Sequence, residues 1–542
     1  MKTRTTALAS TVLAGPARAY DGAAMDHQNG SLTSLYSAEE LRPGELPENP
    51  AWQEREPNSY SDFGGAFTMS RRNPLSHDRQ ARRGEVSDNS PTAGFQEDLT
   101  PTNMVVPMRS FLFAEARQRP TTAPVKGARV SITASTAAQF TAAAGLDRFR
   151  AGQIVKPRGF DIASTNARIQ VVTAAGAGQL TVAPGGMTPE PDAPDDAALD
   201  AVGFQFAAGT LGLTKLADGI VLTSTMPGVD FTTMNFVLGE YHFIGGDTAA
   251  TRFAEPGAEN APFYAQLDAV TANSLAYRKT TGVQATTNGA GKTIQVFYDT
   301  VVRNEDDCEL IRPITFTHER QYGCGVGAEA EYVAGSYANQ MTITVPTPAA
   351  DAKVTVDLGY IGLTSFERLD TEALLSEGDV RIPALNEPAF KPGLDVYQQK
   401  LSVLDPLTGN PSALVAFSST SSLTINNQLT GIKAVEVFGN AGVGIGELAV
   451  TGSITGFFTG VGQNRQVRLG REATWHLILT KANAAVIFDI ASLSLGNGRN
   501  AVAANTPVTI PIDTAAAKGK HGYSLLVTFL RYVPTVGMAN AS

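Results

Sequence analysis

The sequence is poor in cysteine, tryptophan and charged residues. Two cysteines and two tryptophans occur in 542 residues, and charged residues make up 17% of the chain. Two cysteines are too few for a disulfide scaffold or a cysteine-based zinc site. Hydrophobic residues make up 43%, which excludes a disordered chain, because disorder needs few hydrophobic residues and many charges.

Long apolar runs and an excess of positive charge are also missing. No stretch approaches the roughly 20 apolar residues of a membrane helix, so we expect no membrane partner. The net charge is −10, whereas a protein that binds nucleic acid by neutralising phosphates needs a basic face. The length allows roughly three or four domains of about 150 residues.

The patterns of common catalytic and cofactor sites are absent as well. The six histidines have no paired metal-binding spacing, and no Gly-x-Ser-x-Gly motif occurs. Gly289 to Thr293 resembles the end of a phosphate loop, but Thr286 occupies the place of the first glycine and a strand pattern follows. Glu305, Asp306 and Asp307 fit a solvated turn better than a metal site. We therefore expect neither an enzyme nor a cofactor.

The first 83 residues are polar and interrupted by prolines, which disfavours helices and central strands. Residues 1–19 have the outline of a secretory signal, but their apolar region is weak. We expect residues 1–83 to form an extended arm that is ordered by another copy of the chain. Its one basic run consists of Arg71, Arg72, Arg79, Arg82 and Arg83. A nucleic-acid contact is one interpretation of this run, but acidic residues elsewhere in the arm balance its charge, so we favour ion pairs between subunits.

Most of the remaining chain has the alternation and turn spacing of antiparallel β structure. Two short strands are expected between residues 84 and 99, and a helix is expected from Thr100. Residues 125–280 contain two similar patterns in the order Phe, Gly, strand, Asn, strand, turn and Leu strand. We interpret them as duplicated small β-barrel modules. A weaker repeat relates residues 314–345 to residues 423–456.

These residues resemble the major tail tube proteins of long-tailed bacteriophages, of the kind with two tube domains. The first resembling stretches are Ser70 to Gln80 and Gly84 to Thr100. Others are Thr293 to Tyr322 and Gly335 to Val345, and Leu423 to Leu429 with Gly446 to Phe458 is similar to the second tube domain. The resemblance is spread over most of residues 70–542.

The resemblance implies a mainly β fold of two tandem tube domains, each a β sandwich or barrel with a flanking helix. The inserted modules would decorate the outside. The expected boundaries are an arm at 1–83, a first tube domain at 84–124 plus 281–395, an insertion at 125–280, and a second tube domain at 396–542.

The resemblance also implies a function in assembly. Three chains would close a pseudo-hexameric ring, and stacked rings would form the tail tube of a virion, made in the host cytoplasm. The tube would meet the tape measure protein and the tail terminator and distal tail proteins, and phage DNA would pass through it without specific binding. An acidic chain suits such a channel, since like charges repel phosphate. Candidate acidic residues facing the lumen are Glu331, Asp357 and Glu447.

Other classes stay open from the residues alone. A secreted adhesin, a carbohydrate-binding protein or a capsid-type shell protein would have a similar composition. An adhesin would need a cleaved signal and clusters of exposed aromatic residues, yet tryptophan is scarce. A β-helical hydrolase would need a short solenoid repeat, which the sequence lacks.

Overall fold

The computed structural model confirms a mainly β protein, with 48% of residues in strands and 7% in helices. It describes residues 30–73, 75, 77, 80–117, 130–166, 168–194, 197–217, 219–278, 283, 286–289, 291–323, 329–405, 411–415 and 417–539. Two large, mostly antiparallel sheets contain most of the strands.

The chain enters the first sheet directly. Its first elements are β1 Thr33–Glu39, β2 Ala51–Arg55, β3 Pro57–Arg71, β4 Gly84–Asp98 and the helix α1 Val105–Phe111.

The second sheet follows as an insertion. Its elements are β5 Ala134–Ser135, β6 Gln139–Thr141, β7 Gln153–Arg158, α2 Ala163–Asn166, β8 Gln170–Ala175, β9 Gln179–Ala183, β10 Ala198–Gln205, β11 Leu211–Lys215, β12 Ile220–Ser224, β13 Tyr241–Ile244, β14 Phe263–Val270, β15 Ser274–Arg278, β16 Thr286–Asn288 and β17 Gln295–Phe297.

The chain then returns to the first sheet. These elements are β18 Thr300–Arg303, β19 Thr315–Tyr322, β20 Glu329–Val345, β21 Thr355–Ile361, β22 Thr364–Arg368, β23 Val380–Ile382, β24 Val396–Leu404, β25 Pro411–Val415, β26 Ser418–Asn426, β27 Thr430–Ile432, β28 Gly442–Gly444, β29 Ala449–Phe457, α3 Val461–Arg468, β30 Ala473–Lys481, β31 Ala484–Asn497, β32 Thr509–Ala516 and β33 Leu526–Leu530. Short 3-10 helices occur at Gly30–Leu32, Leu146–Arg148, Phe231–Thr233, Ala249–Thr251 and Thr535–Gly537.

The first sheet contains the same connectivity twice. In one half, the hairpin β3–β4 leads through α1 to the hairpin β19–β20, and β21 then pairs with both β20 and β4. In the other half, β26–β29 leads through α3 to β30–β31, and β32 pairs with both β31 and β29. The hairpins β1–β2 and β24–β25 also correspond, since β1 borders β19 and β24 borders β30. We call these halves the first and second repeat.

The prediction of an extended arm over residues 1–83 is wrong for residues 33–71. These residues form β1, β2 and β3, and they belong to the first repeat. The prolines are compatible with strands here because they lie at strand ends and in connections: Pro57 begins β3, whereas Pro43, Pro47 and Pro50 precede β2. Residues 1–29 lie outside the described residues.

Three local expectations also need correction. Residues 84–98 form one strand, and α1 begins at Val105 because the hydroxyls of Thr100 and Thr102 both donate to Glu387 and hold the preceding segment in a turn. Pro107 fits the first turn of α1, where backbone N–H groups need no helical partner. The repeat expected from the sequence matched residues 314–345, which contain β19 and β20, with residues 423–456, which contain β26 and β29. In the structure, β26 and β29 correspond instead to β3 and β4.

The inserted sheet extends to Phe297, beyond the expected boundary at residue 280. Its two halves have the same strand order: β5-β6-β9-β8-β7-β10 corresponds to β11-β12-β15-β14-β13-β17, and β10 pairs with β17 where they meet. Each half has its own hydrophobic core. A duplication remains our interpretation of this repeated order.

The two repeats share one hydrophobic core. It extends from Leu35 and Phe95 to Phe488 and Phe529, between the layers of the first sheet. After the insertion, β18 pairs with β33 of the second repeat. Residues 300–303 therefore join the second repeat, although the expected boundaries placed them in the first domain.

Candidate functional site: a polar sheet face with two open edges

A single seam joins the two repeats into one layer of eight strands. At this seam, residues Gln340 to Val345 of β20 pair antiparallel with Ser421 to Asn426 of β26. The resulting strand order is β3-β4-β21-β20-β26-β29-β32-β31. The seam is therefore a continuous hydrogen-bonded ladder, and the repeats do not merely touch through side chains.

The two faces of this layer differ sharply at the seam. Met341 and Ile425 are opposite each other in the ladder and are fully buried in the shared core. The next pair, Thr342 and Thr424, points to the other face, where their hydroxyl oxygens lie 3.1 Å apart. The alternation follows from the two-residue period of a strand.

Small polar residues and carboxylates cover this outer surface, which we call the polar face. Its members are Ser59, Asp62, Ser90, Thr92, Gln96, Asp98, Gln340, Thr342, Thr344, Thr355, Asp357, Ser422, Thr424, Asn426, Thr451, Ser453, Thr455, Thr509 and Asp513. Four members are aspartates, and no member is a lysine or arginine. Lys353 approaches from the border of the layer and binds Asp98 at 2.6 Å.

The three predicted lumen acids occupy different environments. Asp357 lies on the polar face and accepts a hydrogen bond from the Gln96 side chain at 2.8 Å. Glu447 is exposed in the loop before β29. Glu331 lies instead in the part of β20 that pairs with β19, away from the polar face, and forms an ion pair with Arg320.

Glu331 is part of a cluster that fixes β3 against β19. The Tyr322 hydroxyl donates to Glu331 at 3.0 Å, and burial raises the pKa of Tyr322 to about 12, so this donor keeps its proton. The Arg320 guanidinium lies 4.5 Å from the ring centre of Phe63 and 5.0 Å from that of Tyr60, both on β3. The role of Glu331 is therefore structural.

Sequence reasoning missed most of the polar face. Thr342 and Thr424 lie in runs whose alternation identified strands, and this alternation does carry a signal for two different faces. It does not say which strands become neighbours, and residues of β3, β26 and β32 are far apart in the chain. Asp62, Asp98 and Asp513 were missed for this reason.

The eight-stranded layer ends in two open edges. The outer edge of β3 pairs with no described strand, and β31 beyond Leu493 has β32 as its only described partner. In the repeated connectivity, β31 corresponds to β20 and β3 corresponds to β26. The two open edges are thus the counterparts of the two strands that form the seam.

Exposed apolar residues lie at one end of the layer. The tip of the β3–β4 hairpin carries Phe67, Met69 and Val86, which are 52%, 73% and 54% exposed. The loop between β26 and β29 lies beside it, because Phe438 stacks on Phe67 at 6.2 Å and Lys433 forms an ion pair with Asp88. We call this pair of loops the apolar tip.

The predicted basic run also lies at the apolar tip. Arg71, Arg72, Arg82 and Arg83 are exposed where the β3–β4 hairpin turns, and Arg79 lies outside the described residues. The structure places these four side chains at the tip of a hairpin and not along an extended arm.

A groove lies at the opposite end of the layer. It is lined in part by Val345, Val396, Tyr397, Val415 and Phe417, and the Phe417 side chain is 77% exposed. β26 leads from this groove to the apolar tip over nine residues, which is about 30 Å. The layer thus has exposed aromatic residues at each end, Phe67 and Phe438 at the apolar tip and Phe417 beside the groove.

The inserted sheet buries one histidine between two hydrogen-bonding partners. His242, a core residue of the inserted sheet, is fully buried between the Tyr277 hydroxyl at 2.7 Å and Glu240 at 2.8 Å. In the part of the chain that the structure describes, no group of three or more His, Cys, Asp or Glu side chains could hold a metal ion. No described helix is long and apolar enough to cross a membrane.

No protein-family model matches the chain, and no curated protein matches it either.

Proposed function

We propose that this chain is the structural subunit of a phage tail tube, three copies of which close into a ring around a DNA channel. The proposal rests on the seam between β20 and β26 and on the open edges of β31 and β3, which correspond to the two strands of the seam. A chain with two copies of one fold can mimic six-fold symmetry with three subunits.

Ring closure repeats the seam between chains. The open edge of β31 in one copy pairs with the open edge of β3 in the next, as β20 pairs with β26 within one copy. Edges of this kind otherwise promote uncontrolled aggregation, and a closed sheet removes them. Three chains with eight strands each, spaced about 4.8 Å apart, close into a barrel. Its diameter, measured at the backbone, is at least about 37 Å.

The polar face lines the channel in this arrangement. Hydroxyl and amide groups keep the channel wet, and the carboxylates of Asp62, Asp98, Asp357 and Asp513 repel phosphate. A surface without lysine or arginine among its members also lacks the groups that release counterions when they bind DNA. DNA then passes without being held.

Stacking uses the two ends of the layer. The apolar tip of one ring meets the groove beside Phe417 in the next ring, so each contact is head to tail. A head-to-tail contact generates an open filament when its rotation does not close into a ring. The tape measure protein inside, and terminator and distal tail proteins at the ends, are the partners that such a tube in a virion requires.

Electron microscopy and the mass in solution test the proposal together. The expected result is hollow stacked rings with a mass of three chains per ring. Six chains per ring keep the tube but contradict closure by β31 and β3 of three copies. A monomer that never assembles at high concentration contradicts the function.

A further inference from the structure

The inserted sheet docks on the second repeat through a surface of apolar and polar residues. This surface is separate from the two hydrophobic cores of the inserted sheet. Five buried apolar residues of the insertion meet five of the second repeat. The first set is Ile154, Val202, Tyr241, Phe243 and Phe297, and the second is Ile478, Ala485, Ile487, Leu530 and Val533. Beside this cluster, the Arg531 guanidinium of the second repeat pairs with Asp200 of the insertion.

One carboxylate is buried in this docking surface. Asp489 of β31 is 3% exposed. It accepts hydrogen bonds from the Tyr241 hydroxyl at 3.1 Å and the Gln266 amide at 2.8 Å, both from the insertion, and from the Tyr523 hydroxyl at 2.8 Å. Hydrogen-bond donors from both the insertion and the second repeat therefore bind the same carboxylate.

We propose that Asp489 is a proton-controlled latch, which holds the inserted sheet on the second repeat more tightly when its carboxyl group is protonated than when it is ionised. This inference is independent of the proposed tube function, because it concerns contacts within one chain.

The physical basis is the cost of burying a charge. Burial raises the pKa of Asp489 to about 6, and the hydrogen bonds and the Arg278 charge offset only part of the effect. When the surfaces separate, the carboxyl group meets water and its pKa returns toward about 3.9. Docking is thus tightest below about pH 4 and weakens as the pH rises through 6.

The other ionisable groups around Asp489 act differently. From the insertion, Tyr241 faces it and Arg278 pairs with Asp268, which also binds Lys520 and His521 of the second repeat. Arg278 and Lys520 stay charged over this pH range. Burial raises the pKa values of Tyr241 and Tyr523 well above the usual range, so both keep their protons.

The two nearby histidines would produce the opposite trend. His476 lies opposite Asp489 in the β30–β31 ladder, and burial lowers its pKa to about 4. Burial also lowers the pKa of His521. A histidine with a lowered pKa in the docked state favours docking as the pH rises. The sign of the pH dependence therefore distinguishes the aspartate from the histidines.

Hydrogen–deuterium exchange at the Tyr241 amide, which donates to the Thr528 hydroxyl across the docking surface at 3.3 Å, tests the latch in the full chain. After correction for intrinsic rates, protection of this amide should fall roughly 30-fold between pH 4.5 and 7.5. The variant Asp489→Asn should lose this dependence, and the control Asp513→Asn, which changes an exposed aspartate of β32, should keep it. Protection that is flat or rises with pH in the natural chain overturns the proposal, as does an unchanged dependence in Asp489→Asn.

A second variant keeps the test decisive if Asp489→Asn does not fold. Tyr523→Phe removes one hydrogen bond to the ionised carboxylate, so the midpoint of the transition should move to higher pH. An unchanged midpoint in Tyr523→Phe contradicts a role for Asp489.

Discussion

The hydroxyl oxygens of Thr342 and Thr424 lie 3.1 Å apart across the seam that joins the two repeats. One residue away, Met341 and Ile425 pair in the same ladder and are fully buried in the core. The seam therefore has one face that stabilises the fold and another that is available to a channel.

Substitutions on the two faces of the seam should have different costs. Ile425→Ala should lower the free energy of unfolding by about 2–4 kcal/mol, because it leaves a cavity in the core. Thr424→Ala should cost less than about 1 kcal/mol, because it removes one half-buried hydroxyl pair and leaves no cavity in the core. Chemical denaturation of the unassembled chain measures both. Similar costs for the two variants would contradict the assignment of faces.

Ring closure predicts a specific crosslink between chains. When the repeats are aligned so that Phe95 coincides with Ile454, Gly496 corresponds to Gln340 and Ala66 corresponds to Asn426. Cysteines at 496 and 66, in a background with Cys308→Ser and Cys324→Ser, should therefore form covalent trimers on oxidation. Denaturing electrophoresis measures the product.

The seam provides the matched control for this crosslink. Cysteines at Gln340 and Asn426, which are opposite each other within one chain, should crosslink without changing the number of chains. If neither Gly496 with Ala66 nor the pairs shifted by two residues join chains in assembled material, closure through these edges is wrong.

The apolar tip should control stacking but not ring closure. Phe438→Asp combined with Phe67→Asp places charges where apolar contact is expected, so single rings should replace tubes in electron micrographs. The control is Leu216→Asp, which changes an equally exposed leucine of the inserted sheet and should leave tubes intact. Normal tubes in the double variant would exclude the apolar tip from stacking.

Charge on the polar face should decide whether DNA is held. Thr424→Lys with Thr451→Lys adds two positive charges to each chain on this face. Assembled tubes should then retain DNA at low salt and release it as salt rises, since each phosphate contact releases counterions. The natural tube and a Leu216→Lys control should retain none, and retention by the control alone would contradict the channel assignment.

The buried ion pair between Arg55 and Glu97 should contribute strongly to folding. Two hydrogen bonds join these side chains at 2.8 and 2.5 Å, and both side chains are less than 10% exposed. Glu97→Ala leaves the Arg55 charge without its partner and should cost about 3–5 kcal/mol.

A neighbouring exposed pair calibrates this effect. Lys353→Ala breaks the ion pair with Asp98, in which the lysine is about half exposed, and should cost less than about 1 kcal/mol. Thermal unfolding compares the two variants, and equal shifts in Tm would show that the Arg55–Glu97 pair has no special weight.

The sequence by itself determined the mainly β class and the position of many strands, because alternation is a local property of neighbouring residues. The alternating threonines and serines of β20, β26 and β29 also indicated that each of these strands has a polar side, but not that the polar sides join into one face. The negative net charge and the scarcity of cysteine are also properties of the sequence alone, and they limited the classes of function.

The tertiary structure decided which strands are neighbours. Residues 33–71 looked like an arm because β1, β2 and β3 gain their partners from residues far along the chain, such as β19. Glu331 and Asp357 could not be distinguished in sequence, yet Glu331 binds Arg320 and Asp357 lies on the polar face. Strand pairing depends on long-range contacts that local patterns do not encode, so the seam and its open counterparts emerge only in the folded chain.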